Sequence, residues 1–224
     1  MAAFAAILRK DLRLELRAGE SVLTLVALSL LILVVMVFAL DPVGGARDAG
    51  TAAGALWVAL IFAGTMGATR ALAAERENGC LRALLLSPVD RATLFCAKLA
   101  AAFIFMAIAE VAAVFVLVLF FNLDFDMRLL RLGPSLGLGA LGFAALVTLL
   151  AAIAGRLRAG DLLLPLLAVP MFVPALIAGV KGGELALTGA SLAAAAQWLK
   201  LLTAFDVLFL SAGYLLFEYA ISED

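Results

Sequence analysis

No histidine occurs in this chain of 224 residues, and only two cysteines do, Cys80 and Cys96. The missing imidazole removes the commonest general base and the commonest metal ligand. The cysteines form neither a C-x-x-C pair nor a zinc spacing, and are expected as reduced, unpaired thiols. Charge is also scarce: 15% of residues carry it, against about a quarter in a soluble domain. Sixteen basic and seventeen acidic residues leave a net charge of −1, with no basic excess to bind nucleic acid. No G-x-x-x-x-G-K-[ST] stretch is present, so the chain cannot cradle nucleotide phosphates in a P-loop. A histidine-dependent enzyme, a disulfide scaffold, a nucleic-acid binder and a self-sufficient ATPase are all excluded.

What fills the space is apolar: 66% of the residues, with a mean hydropathy of +1.18. A domain of this size cannot hide that much apolar surface in one core, so lipid is the solvent for most of it. About twenty residues at 1.5 Å each cross the hydrocarbon layer. Runs that meet this length predict an all-α membrane protein with six transmembrane helices, at about 21–40, 49–69, 99–121, 132–155, 162–180 and 200–219. A short external helix is expected at about 188–199. The whole chain, 1–224, reads as one transmembrane domain.

Lysine and arginine set the orientation. The N-terminal segment, the segment 70–98 and the turn at Arg156 and Arg158 hold eleven basic residues on one side, against five on the other. Both termini are therefore expected in the cytoplasm. Residues 4–17 read as an amphipathic helix lying on the membrane, with Arg9, Lys10, Arg13 and Arg17 on one arc. Asp11 and Glu15 fall among its apolar residues. They either snorkel or fray with the helix end, or pair with basic residues of 70–98.

The segment 70–98 is the most informative. Gly79 can end the helix that continues the second span, and Glu75 and Glu77 precede it. Leu81, Leu84 and Leu85 then form one apolar stripe at i, i+3, i+4. Pro88 turns Ser87 out of helical geometry, and Asp90 can cap the helix into the third span. The result is a short amphipathic helix between two spans. It is either a handle for a partner or an ordinary interfacial hairpin.

Inside the membrane, Glu110 lies near the midplane and Asp206 in the outer half of the last span. Each is either a polar contact that shifts in a working cycle or a carboxyl satisfied within packing. Asp161 fits an N-cap of the fifth span. Pro165, Pro170 and Pro174 bend that span as a static kink or a hinge. Gly133, Gly137, Gly139 and Gly142 allow close helix contact and are read as a dimer or partner face. Met36, Met66, Met106 and Met171 are read as core packing.

The pattern Glu-x-x-x-Gly-(small)-Leu-x-x-Leu-Leu-x-Ser-Pro at 75–88 resembles the coupling segment of ABC-2 type exporter permeases. Five further stretches are similar to the cytochrome c maturation permease family, the CcmB or heme exporter B proteins: Leu8 to Glu15, Leu84 to Arg91, Leu141 to Phe143, Leu163 to Pro170 and Gly213 to Tyr219. The resemblance covers nearly the whole chain and implies a multi-pass permease of the bacterial inner membrane. It implies an ABC ATPase partner, CcmA, which binds the ATP, with the heme-handling membrane protein CcmC and the heme chaperone CcmE. Heme is then the cargo of the complex, and no cofactor is held firmly by this chain. Membrane lipid and a second copy, making a homodimer, complete the expected partners. Glu75, Glu77, Gly79, Leu81, Leu84, Leu85 and Pro88 become the ATPase-coupling residues. An ABC-2 exporter for another apolar substrate, a lipid or a drug, is the alternative.

Overall fold

The computed structural model describes residues 2–18, 20–40, 48–77, 89–121, 126–155 and 160–221. Among the described residues every regular element is a helix: α1 (Ala2–Ala18), α2 (Glu20–Leu40), α3 (Ala49–Glu77), α4 (Arg91–Phe121), α5 (Met127–Leu130), α6 (Gly133–Ala154), α7 (Gly160–Leu187) and α8 (Leu192–Ile221). Helices are what lipid demands, because every backbone donor and acceptor must be satisfied within the segment. Five of them, α3, α4, α6, α7 and α8, are long and apolar enough to cross a membrane, and α2 carries a shorter apolar stretch, Val26–Met36.

α6 is the centre of the bundle, packed against α8, α7 and α4, while α3 lies along α7 and α2. Glycines set these distances. Trp57 of α3 is fully buried because Gly139 of α6 and Gly179 of α7 offer bare backbone on which its ring lies; a methyl at either position would overlap it. Phe143 of α6 rests in the same way on Gly64 of α3, beside Met106 of α4. An aromatic row then crosses to the far side: Phe143 meets Phe172 of α7 edge-on at 5.4 Å, and Phe172 meets Phe205 of α8 likewise.

The glycines of α6 are therefore used inside the chain. Gly139 takes Trp57 and Gly142 takes Phe205 and Asp206, whereas Gly133 and Gly137 have open space. The dimer-face reading of Gly139 and Gly142 is corrected accordingly. Among the methionines, Met106 is core and Met36 packs against it. Met66 and Met171 are exposed on the surface of the bundle.

The end of the chain also departs from expectation. No separate helix occupies 188–199; α7 runs on to Leu187 and α8 is one helix of 30 residues from Leu192. Lys181, Gly182 and Gly183 do not end α7. Lys181 pairs with Glu184 at 2.8 Å one turn later, and Gly183 approaches Ala53 and the Trp57 indole nitrogen. The helix ends at Gly189, in the left-handed region at φ 79°. There the Ala190 amide donates to the Leu185 carbonyl and the Gly189 amide to the Ala186 carbonyl, the paired bonds of a glycine C-cap. The Arg131 guanidinium donates to the Gly189 and Ala190 carbonyls and ties this turn to the base of α6. The alanine run 193–196 favours helix and simply opens α8.

Candidate functional site

Glu75 and Glu77 lie in the last turns of α3. Gly79, Leu81, Leu84, Leu85 and Pro88, like Cys80, lie outside the described residues, so the expected short helix is bounded by its two flanks. On the α3 side the helix continues well past the expected span end at 69. On the α4 side Asp90 starts the helix: the Thr93 amide donates to its carboxylate at 3.3 Å and the Leu94 amide to its carbonyl at 3.1 Å. This local cap is the one expected from the residues.

The first turns of α4 sit on a second, smaller core. Ile7 of α1, Leu94, Phe95 and Ala97 of α4, Ala152 of α6 and Phe217 of α8 are buried together, with Phe4 and Val89 against them. The Phe95 ring lies on the bare backbone of Gly213, with its centroid 5.3 Å from that of Phe217. Asp11 of α1 pairs with Lys10 at 2.8 Å and reaches Lys98 of α4 at 3.9 Å. Of the two readings of Asp11, pairing with the 70–98 segment is the one realised; the Glu15 side chain lies outside the described residues. Arg9 and Arg13 point away from this core and are exposed. Cys96, one residue past Phe95, carries a free, exposed thiol.

The intramembrane residues lie on separate helices. Glu110 of α4 is buried, and its Oε1 has no hydrogen-bond partner among the described residues. Asp206 is buried in the seam between α6 and α8, against Gly142, and both its oxygens lack partners among the described residues. It falls at the middle of α8, which begins at Leu192. Pro165, Pro170 and Pro174 all lie inside the continuous helix α7, with Pro170 and Pro174 on its exposed face. Asp161 lies one residue inside α7 rather than ahead of it.

At the opposite end Asp48 caps α3, accepting the Thr51 amide at 2.8 Å. Hydrogen bonds from the Thr51 side chain and amide hold its carboxyl below the ordinary value.

Phe95, Gly213, Phe217 and Trp57 were not singled out as functional or packing positions from sequence. Their one signal is a glycine within an apolar helix, which marks a close approach without naming what approaches.

This arrangement is a bundle with a buried carboxyl on each of two helices, and a buttress at one end from which the 78–88 segment departs. Three bacterial proteins named heme exporter protein B are similar along most of it. That of Rhodobacter capsulatus is 33% identical over 176 residues, 79% of this chain and 80% of its own. That of Bradyrhizobium diazoefficiens is 30% identical over 190 residues, 84% of each chain. That of Paracoccus denitrificans is 32% identical over 187 residues, 83% of this chain and 84% of its own. The family model described as CcmB protein matches residues 2–222, and the chain belongs to that family.

Proposed function

We propose that this chain is the membrane permease subunit of an ABC exporter of heme that serves cytochrome c maturation. Membership of the CcmB family over nearly the whole chain carries the reading. The subunit is not itself an enzyme; ATP is hydrolysed by a partner chain. Its own sequence supports this, since it has no P-loop and no histidine.

The finer picture follows from charge and pattern. The chain crosses the bacterial inner membrane six times, with α2 as the first crossing, and both termini and residues 70–98 in the cytoplasm. The eleven-to-five excess of basic residues supports that orientation. Leu81, Leu84 and Leu85 then face a groove of the ATPase, with Glu75, Glu77, Gly79 and Pro88 shaping the approach. A second copy of the chain, the heme-handling membrane protein and the heme chaperone complete the assembly. Heme iron needs an axial histidine, cysteine, methionine or tyrosine. With no histidine in the chain, mechanical coupling that releases the loaded chaperone is favoured over a ligated heme channel. Glu110, Asp206 and the prolines of α7 are the parts that respond to that motion.

Each leucine of the stripe contributes about 1.5–3 kcal/mol when its side chain is buried. Leu85→Asp is expected to insert normally, lose the ATPase subunit on purification and abolish cytochrome c assembly. Arg82→Asp, off the stripe, is expected to be milder. Retention of the ATPase by Leu85→Asp, with normal assembly, would remove the coupling role from this segment. Heme absorbance of the purified complex, with and without ATP, separates passage of heme through the subunit from release of the chaperone.

A further inference from the structure

We propose that Phe95, seated on Gly213, is the positioning residue through which movement of the 78–88 segment is passed from α4 to α8. The inference rests on the reading above that this segment receives the ATPase. The segment has two attachments, α3 and α4. α3 is held deep in the bundle, where Trp57 lies between Gly139 of α6 and Gly179 of α7. A fully buried ring packed against two helix backbones at interior density resists sliding. α4 makes the same kind of contact, a ring on bare glycine backbone, much nearer the segment. Asp90, directly after the segment, caps it, and the buried ring of Phe95 stands little more than one turn further on.

Gly213 and Phe217 are four residues apart and so share one face of α8. The Phe95 ring occupies the space that a side chain at Gly213 would need, and its far side meets Phe217 at 5.3 Å. Displacing the first turn of α4 therefore pushes the Phe95 ring on the backbone of α8, with no side chain at Gly213 to absorb the motion. α1 strengthens the same joint, since Ile7 is buried with Phe95 and Asp11 reaches Lys98 one turn away. α8 is also the helix that carries Asp206 into the seam with α6. The joint thus connects the end where ATP energy enters with the buried carboxyl of Asp206.

The test uses the full chain in complex with its ATPase subunit, with three readouts: protein level in the membrane, ATP hydrolysis, and cytochrome c assembly in cells. Gly213→Ala overfills the joint and Phe95→Leu empties it. Each is expected to keep the ATPase bound and hydrolysing while assembly falls at least about fivefold, the lower end of ordinary coupling between sites. Together they restore the local volume, and the double variant is expected within about twofold of the original, because residues in direct contact couple non-additively. If Gly213→Ala does not accumulate, the comparison of Phe95→Leu with the double variant carries the same information. Normal assembly in both single variants, or no restoration in the double one, overturns the inference even where Leu85→Asp strips the ATPase. Retention of the ATPase and of assembly in Leu85→Asp overturns the underlying reading instead.

Discussion

Asp206 brings a carboxylate to the middle of α8, where both oxygens are buried and lack partners among the described residues. An ionised group at the centre of a bilayer costs about 2.5–3.5 kcal/mol on insertion scales. Gly142 makes the placement sterically possible, since any side chain there would collide with the carboxylate and with Phe205. Asp206→Asn preserves the shape and removes the ionisable group. It is expected to raise the midpoint of thermal unfolding in detergent and to lower cytochrome c assembly. Gly142→Ala is expected to cost about 1–3 kcal/mol by overpacking, and Asp206→Ala in that background to recover most of the loss in the same unfolding measurement. That Asp206 is a carboxyl amid apolar neighbours was readable from the sequence. Its seat on Gly142 was not, because the two positions are brought together only by the crossing of α6 and α8.

Among the elements, α4 and α7 show where local rules suffice and where they stop. Asp90 starts α4 because its carboxylate and carbonyl take two amides that would otherwise lack partners. Nothing distant is required, and the cap was legible in the residues. Asp90→Ala is expected to cost about 1 kcal/mol, read as faster hydrogen exchange at the Thr93 and Leu94 amides with no change in α7. The end of α7 was not legible. Lys181 with two following glycines has the composition of a helix end, yet Gly182 approaches Ser135 and Trp198, and Gly183 approaches Ala53. Packing uses those glycines for close approach, and the turn moves to Gly189.

On the scale of the whole molecule, apolar side chains also cover much of the outside. Val111, Phe115 and Leu119 form an exposed stripe on α4, and Leu166, Val173 and Ile177 another on α7. In lipid such faces are ordinary solvent contacts. Tyr214 and Tyr219 are exposed near the end of α8, the amphipathic type enriched where a span meets the headgroups. The orientation has a direct test. In a Cys80→Ser background, Cys96 is expected to react with an impermeant thiol reagent only after the cytoplasmic side is opened. A cysteine placed at Ala190, in the α7–α8 turn, is expected to react from outside. The opposite pattern would invert the topology.

Composition and order along the chain determined that this protein is helical, lies in lipid and has no P-loop of its own. Those properties are sums over many residues, and a run of twenty apolar side chains has few alternatives in water or in membrane. Caps such as Asp90, and the presence of carboxyls at Glu110 and Asp206, were determined locally in the same way. The tertiary structure alone decided which glycine receives which ring: Gly139 and Gly179 for Trp57, Gly142 for Phe205 and Asp206, Gly213 for Phe95. A glycine announces that something comes close. What comes close is set by helix crossings between residues far apart in the chain, and no periodicity within one helix encodes them.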